Sequence, residues 1–226
     1  MNIVVVGEQK RLDELRLHLP EEKVRITSLL CALHDKKSLA EADVIFDLNL
    51  DEEPERLADY AELDNTPVVA CAVKKSLARM VHDCGKEVHC NLIGINCLPT
   101  FLDRNVAELS LYGKDHEPAE ALMQALGWQY RIVTDRAGMV TPRILCMIIN
   151  EACYTLQEGT ATMEDIDTAM KLGTNYPYGP FEWADRIGIR NVFEVLHAVY
   201  QETTDERYKI CPLLHSKYLR DESFYF

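Results

Sequence analysis

Positive charge is scarce in this sequence. Lysine and arginine together number 24, against 37 aspartates and glutamates among 226 residues, which gives a net charge of −13. Adjacent basic residues occur only as Lys10-Arg11, Lys36-Lys37 and Lys74-Lys75. Proteins that bind a nucleic-acid backbone need clustered lysines and arginines to release its counterions. We therefore expect no nucleic-acid partner.

Long apolar runs are absent as well. The N-terminal run Ile3–Val6 is far shorter than the core of a signal peptide. No other run approaches the roughly 18 residues that span a bilayer. The eight cysteines include no Cys-x-x-Cys pair, so we expect them to be reduced and mostly buried. These absences predict a cytoplasmic protein with no membrane partner.

A metal centre is not expected. His82, Cys84, His89, Cys90 and Cys97 fall within 16 residues, a density that suggests soft metal ligands. His89 and Cys90, however, are adjacent on a predicted strand, so their side chains point to opposite faces. The spacing typical of cysteine-based metal sites is also missing. We predict that no metal is bound.

The first part of the chain alternates short β-rich runs with helical or polar stretches, which predicts an α/β domain. Several runs are continuously apolar, as in strands that helices cover on both faces, so the sheet is predicted to be parallel. Short helices are predicted between strands, at Leu12 to Leu19 and at Leu57 to Ala61. The strands are predicted over Asn2–Val6, Lys23–Thr27, Asp43–Leu48, Pro67–Val73, Val88–Ile95 and Trp128–Val133, with Val106–Leu111 as a weaker candidate.

The last part of the chain is predicted to be entirely helical. Strand signals stop near residue 136, so the predicted domains are residues 1–136 and 137–226. Thr141-Pro142 supplies a cap and a proline at the first position of a helix that Gly159 ends. This helix has more apolar surface than one neighbour needs, which makes it a candidate subunit contact. Its apolar residues are Ile144, Ile148, Ala152 and Leu156, with Cys146, Ile149 and Cys153 beside them.

Two further helices are predicted from their boundaries. Thr162 is a cap that begins the first, with Asp165 three residues later, and Gly173 is predicted to close it. Pro180 is predicted to begin the second.

The segment Glu158–Gly188, with Asn-Tyr-Pro-Tyr-Gly-Pro-Phe-Glu-Trp at 175–183, resembles the C-terminal domain of 3-hydroxyacyl-CoA dehydrogenases. The resemblance extends upstream through Asn150-Glu151-Ala152 and downstream to Pro212-Leu213-Leu214 and Phe224-Tyr225-Phe226. Residues 88–134 are similar with more drift, and Ala42 to Asp47 is similar to the family's strand that ends in an acidic residue beside the nicotinamide cofactor.

The resemblance implies a Rossmann-like parallel sheet domain followed by an all-α domain that dimerises and closes over an acyl-CoA substrate. The family's reaction moves hydride between NAD and the 3-hydroxy or 3-keto carbon, with a histidine as general base held by a glutamate. It also implies that Gly7 and Asp47 are remnants of the cofactor site and that Asn96 and Glu108 occupy the positions of the catalytic dyad.

Glycine is scarce where a dinucleotide would need it. A diphosphate-binding turn requires Gly-x-Gly-x-x-Gly after the first strand. This chain has Gly7-Glu8-Gln9-Lys10-Arg11-Leu12, and the next glycine is Gly85. Side chains at Gln9 and Leu12 would block close approach of a phosphate, and Glu8 adds negative charge. The second strand, which ends at Thr27-Ser28-Leu29, lacks the acidic residue that binds the ribose. We expect no cofactor.

The catalytic positions have changed too. Glu108 stands twelve positions after Asn96, as the glutamate stands after the histidine in the family. Asparagine cannot take a proton at pH 7, although its amide can hydrogen-bond a thioester or keto oxygen. Pro142 stands where the family has asparagine before arginine, and Ala72-Val73-Lys74-Lys75 replaces the family's Asn-Thr-Ser-Ser, with Ser76 as a displaced hydroxyl.

Two charged segments have simple structural interpretations. Asp51–Glu55 is interpreted as the solvated first turn of a helix, where acidic side chains complement the helix dipole. Lys74-Lys75 is interpreted as a surface pair, with contact to a CoA phosphate as the alternative.

These residues support three hypotheses. The first is a family member that has lost NAD-dependent dehydrogenase activity and acts as an acyl-CoA-binding or scaffolding homodimer. The second is an active NAD-dependent oxidoreductase with a rebuilt site, in which Glu108 or a nearby histidine is the base. The third is a purely structural dimer in which helix 142–158 binds a partner.

Overall fold

The computed structural model describes residues 1–20, 24–29, 36–113 and 116–225. They form two compact units, Met1–Met139 and Val140–Phe226. Lys23, Cys31 and Phe226, which entered the sequence predictions, lie outside the described residues. Within those ranges no helix is long and apolar enough to cross a membrane.

The end of the first unit is fixed by hydrogen bonds to the helix that follows β4 (Pro67–Cys71). The carboxylate of Asp135 accepts the N–H groups of Leu77 and Ala78 at 2.8 and 2.9 Å. The N–H of Gly138 donates to the carbonyl of Val73 at 2.6 Å. These bonds hold residues 135–138 in the first unit, which therefore ends at Met139, three residues beyond the sequence-based boundary.

The first unit contains a seven-stranded sheet in the order β2-β1-β3-β4-β5-β6-β7. The α/β fold and all seven predicted strand segments are confirmed. The strands are β1 Asn2–Val6, β2 Arg25–Leu29, β3 Val44–Asp47, β4 Pro67–Cys71, β5 Asn91–Ile95, β6 Val106–Leu111 and β7 Gln129–Ile132.

The sheet is mostly parallel, and one strand pair departs from the predicted parallel direction. All neighbouring strands are parallel except β5 and β6, which are antiparallel and pair Ile95 with Leu109. The connection from β5 to β6 spans residues 96–105 and contains no helix. A parallel return needs a crossover of a dozen or more residues, so this short connection brings the chain back antiparallel.

The helices of the first unit are short, as predicted, and their apolar faces pack on the sheet. Leu12 and Leu15 are buried, and so are Leu57 and Tyr60. The helices are α1 Gln9–Arg16, α2 Lys36–Ala40, α3 Leu57–Tyr60, α4 Leu77–Cys84 and α5 Glu117–Leu126.

The second unit is helical, as predicted. Thr162 caps its second helix by accepting the N–H of Asp165 at 3.2 Å, and Pro180 begins the third. Thr141 is wrong as a cap, because Val140 holds that position without a side-chain bond and Thr141 is already helical. The helices are α6 Thr141–Gln157, α7 Met163–Thr174, α8 Pro180–Ile187, α9 Ile189–Thr203 and α10 Pro212–Arg220.

The prediction that Gly173 closes α7 is also wrong. The helix continues through Thr174, and Asn175 adopts the left-handed conformation that ends it, with φ of 56°. Asparagine tolerates this conformation better than most residues with a side chain, so it can replace glycine at a helix end.

Candidate functional site

The turn after β1 is packed against the segment that follows β3. Gly7 has φ of +143°, and a Cβ there would lie 2.8 Å from Asn49 Oδ1 and 2.9 Å from Leu48 Cβ. The N–H of Glu8 donates to Asn49 Oδ1 at 3.2 Å. Glycine is therefore required at position 7 by both its backbone conformation and the close approach of this chain's own residues.

This turn does not fit a dinucleotide bound in the manner of a glycine-rich loop. In such a loop the N–H groups after the first strand and at the start of the following helix bind the diphosphate. Here the N–H of Glu8 is already bound by Asn49, and Gln9, Lys10 and Arg11 carry side chains where the motif needs close backbone approach. No reaction step through NAD is derived from these residues.

A buried ion network lies beneath the turn. Arg11 is 2% exposed, and its Nη2 lies 2.6 Å from Glu52 Oε1, while its Nη1 donates to the carbonyl of Leu48 at 2.5 Å. Lys74 Nζ reaches the same Glu52 oxygen at 3.0 Å. The carboxylate of Asp51 accepts the N–H of Lys74 at 2.7 Å. Two cations and two carboxylates of this chain therefore neutralise one another at this end of the sheet.

The network corrects both interpretations of charged segments. Lys74 is 9% exposed and ion-paired, so the surface-pair interpretation is wrong for it. Asp51 is 2% exposed, so the solvated-turn interpretation is wrong for it, whereas Glu52, Glu53 and Glu55 are exposed residues. No sequence signal marks these residues, because their partners lie 22 to 41 positions away.

Glu52 gives the first prediction. Burial alone would raise its pKa, but Arg11 and Lys74 overcome that effect and lower the pKa to about 2. The lowered folded-state pKa adds stability above the unfolded value near 4.5 that is lost as the pH falls through about 2. Between pH 5 and pH 2 we expect the free energy of unfolding of Glu52→Gln to fall by about 1–2 kcal/mol less than that of the unmodified chain, after allowing for solvent screening. Urea titrations across this range measure it, and an unchanged pH profile would contradict it.

Asp47 ends β3 with its side chain fully buried. Arg56 contacts both carboxylate oxygens, through Nε at 2.9 Å and Nη2 at 2.7 Å. The hydroxyl of Tyr60 donates at 2.8 Å, and the N–H of Asn49 donates at 3.1 Å. Burial raises the pKa of Asp47, while Arg56 and Tyr60 oppose the shift. Four donors from this chain thus surround the carboxylate at the position predicted as a cofactor remnant.

Glu108 lies on β6, and Asn96 directly follows β5, the strand that runs antiparallel to β6. Asn96 follows β5, is 8% exposed, and accepts the N–H of Leu98 at 3.1 Å. Glu108 is half-buried on β6. Because Ile95 pairs with Leu109, continuing this register by one residue places Asn96 opposite Glu108. That these two residues occupy the dyad positions stays a prediction, and Asn96 supplies an amide where a general base would be needed.

Glu108 interacts electrostatically with Arg104. Burial lowers the pKa of Arg104, whereas Asp103 and Glu108 act against that shift. Ser76, suggested as a displaced hydroxyl, caps α4 by accepting the N–H of Arg79 at 3.3 Å. Across the described ranges no three histidine, cysteine or carboxylate side chains are grouped to hold a metal ion.

Comparisons with known proteins match the C-terminal unit most strongly. The sequence profile described as "3-hydroxyacyl-CoA dehydrogenase, C-terminal domain" matches residues 138–223. The chain is 41% identical over 92 residues to 3-hydroxyadipyl-CoA dehydrogenase of Escherichia coli, covering 41% of this chain and 19% of that protein. It is 29% identical over 208 residues to a 3-hydroxybutyryl-CoA dehydrogenase of Bradyrhizobium diazoefficiens, covering 86% of this chain and 69% of that protein.

Solved structures share the fold along nearly the whole chain. The (S)-3-hydroxybutyryl-CoA dehydrogenase of Ralstonia eutropha gives a TM-score of 0.74 at 22% identity, covering 97% of this chain and 94% of that one. FadB2 of M. tuberculosis gives 0.79 at 17% identity, covering 99% and 95%. The second unit therefore matches the C-terminal domain of 3-hydroxyacyl-CoA dehydrogenases in sequence, and the chain shares the fold of these solved structures along nearly its whole length.

Proposed function

We propose that this chain, as a member of the 3-hydroxyacyl-CoA dehydrogenase family, binds acyl-CoA as a homodimer and does not turn over as an NAD-dependent dehydrogenase. The observation that carries the proposal is the hydrogen bond from the N–H of Glu8 to Asn49 Oδ1. It uses within the chain a donor that a diphosphate would need, at a turn where only Gly7 remains of the three glycines.

The chemistry at the dyad positions supports the same proposal. A general base typically contributes about 10²–10⁴-fold to the rate, and the amide of Asn96 cannot supply it. The Oδ1 of Asn96 accepts the N–H of Leu98, so its NH₂ group is the side that can donate to a thioester or keto oxygen. This donor, together with the relatives whose names specify CoA thioesters, supports an acyl-CoA ligand.

Homodimerisation is proposed through α6. Val140, directly before the helix, and Ile144 within it are 45% and 55% exposed, and they are four residues apart on one side of the chain. Cys146, Ile149 and Cys153 are fully buried within the second unit. The apolar surface of α6 is therefore divided between its own unit and an exposed face, which is available to a second copy.

The second prediction concerns activity and binding. With NADH and acetoacetyl-CoA we expect the rate to be at least about 10²-fold below that of ordinary family enzymes, because both the base and the diphosphate-binding turn are altered. Calorimetry is expected to detect acetoacetyl-CoA binding and no saturable NAD or NADP binding. Sedimentation velocity on the same sample measures the oligomeric state.

Each alternative hypothesis gives a different result. NADH oxidation at an ordinary family rate, abolished in Glu108→Gln, would overturn the proposal in favour of a rebuilt active site. A dimer whose melting temperature is unaffected by CoA and acetoacetyl-CoA at millimolar concentration would favour the purely structural dimer. A ligand at 100 times its dissociation constant adds roughly 2.7 kcal/mol of stability, so binding would be visible in the melting curve.

A further inference from the structure

The turn that follows β5 has an unfavourable backbone conformation at Thr100. The N–H of Phe101 donates to the carbonyl of Leu98 at 3.1 Å, which closes a four-residue turn with Pro99 and Thr100 at its centre. Thr100 has φ of 76°, the largest value among the non-glycine residues that the structure describes in the left-handed region. Glycine or asparagine usually occupies this position, and a β-branched side chain there is a steric outlier. The turn therefore needs support from its surroundings.

That support comes from a carboxylate of α1. Both oxygens of Glu14 accept the backbone N–H of Thr100, at 3.0 and 2.9 Å, across a sequence separation of 86 positions. The hydroxyl of Thr100 contributes nothing comparable, because it is buried without a hydrogen-bond partner among the described residues. Burial raises the pKa of Glu14, and the N–H of Thr100 opposes this shift. The partly buried carboxylate and the turn thus stabilise each other.

The turn is in turn hydrogen-bonded to Asn96. The N–H of Leu98 donates to Asn96 Oδ1 at 3.1 Å, and both residues are buried. Three hydrogen bonds in series therefore connect Glu14 to the amide of Asn96, through Thr100 and across the turn. With Oδ1 held by Leu98, the NH₂ group of Asn96 remains as the donor.

We propose that Glu14 is a positioning residue, which holds the turn at residues 98–101 and thereby orients the Asn96 amide toward an acyl-CoA carbonyl. The identity of the ligand rests on the proposed function, whereas the positioning of Asn96 is measurable without any ligand. Glycine at position 100 would adopt the same φ without steric cost. Threonine makes the conformation depend on the contact with α1, so the placement of Asn96 depends on Glu14.

The first measurement is amide hydrogen exchange in the whole chain, followed by NMR. The Thr100 amide is expected to be protected in the unmodified chain and to exchange at least about tenfold faster in Glu14→Ala, which removes a charged acceptor. The side-chain NH₂ resonances of Asn96 are expected to shift in the same variant. Glu14→Gln keeps one acceptor oxygen and is expected to be intermediate. Free exchange of Thr100 in the unmodified chain, or Asn96 resonances unchanged in Glu14→Ala, would overturn the proposal.

Two further variants separate this role from a general effect on α1. Asp13→Ala is the matched control, because Asp13 is exposed and contacts Gln9 and Arg16 of its own helix at 2.7 and 3.7 Å. It is expected to leave the Asn96 resonances unchanged. In a Thr100→Gly background, Glu14→Ala is expected to shift them less, since glycine needs no support there. An equal shift in that background, or an equal shift in Asp13→Ala, would contradict the proposal.

Calorimetry with acetoacetyl-CoA connects the positioning to binding. Glu14→Ala is expected to raise the dissociation constant about tenfold, and to add nothing further in an Asn96→Ala background, where the positioned group is missing. Independent, additive losses would overturn the proposal. Should Glu14→Ala not fold, Glu14→Gln and the protection of Thr100 in the unmodified chain decide it. If the unmodified chain does not bind acetoacetyl-CoA, the proposed function fails, while the exchange and resonance measurements still decide whether Glu14 positions Asn96.

Discussion

Replacing Arg56 with methionine is expected to destabilise the first unit by about 3–5 kcal/mol, because it leaves a fully buried carboxylate without its cationic partner. Arg56 contacts both oxygens of Asp47, at 2.9 and 2.7 Å. Burial alone would lower the pKa of Arg56, but Asp47 overcomes this effect and raises it. The arginine is therefore charged, and its removal is expected to raise the pKa of Asp47 further.

The pH dependence of this variant distinguishes lost charge pairing from lost packing. An acid whose folded pKa is raised binds protons more readily in the folded state, so the stability of Arg56→Met rises as the pH falls toward the unfolded pKa of about 3.9. We expect the loss to be smaller at pH 5 than at pH 7. Urea denaturation followed by the fluorescence of Trp128, whose ring centroid lies 6.0 Å from that of Phe46, measures both values.

Glu53 provides the matched control for this prediction. It binds the same guanidinium at 2.8 Å, but its side chain is 52% exposed. Glu53→Gln is expected to cost less than about 1 kcal/mol, as surface ion pairs usually do. Equal losses from Arg56→Met and Glu53→Gln would contradict the argument that the buried half of the network supplies the stability.

The sequence predicted the strands because their apolar runs are local signals. Pro67–Cys71 and Asn91–Ile95, for example, lie within the predicted runs, since buried parallel strands are apolar on both faces. The direction of β6 could not be read in this way. It depends on a connection without a helix at residues 96–105, and periodicity does not reveal how such a connection turns.

The charged interior of the first unit was hidden for a different physical reason. A charged residue is taken as exposed unless a partner is known, because burying an unpaired charge is costly. Lys74 and Asp51 are buried because the fold supplies partners from distant segments. The prediction that Asn96 and Glu108 occupy dyad positions came instead from a resemblance, which carries tertiary information that local pattern does not. It stays a prediction.

A buried carboxylate also organises the second unit. Asp167 on α7 is 2% exposed and accepts the N–H groups of Phe181 and Glu182 at 2.9 and 3.2 Å, at the start of α8. It also accepts the hydroxyl of Tyr225 at 2.9 Å. A Cβ at Gly179 would collide with this side chain, which explains the glycine there. Asp167 thus serves as a cap for α8 supplied from another helix, where a negative charge also complements the helix dipole.

Asp167→Ala is therefore expected to destabilise the second unit by about 3 kcal/mol, since three donors each lose a charged acceptor at roughly 1 kcal/mol or more. Asp167→Asn keeps one carbonyl oxygen and should lose about half as much. Urea denaturation followed by the fluorescence of Trp183 on α8 measures the loss. Asp165→Ala is the control on the same helix, because Asp165 is exposed and bonds Thr162 Oγ1 at 2.8 Å; its cost is expected to stay below about 1 kcal/mol. If Asp167→Ala cost no more than this control, the start of α8 would be stabilised by other contacts.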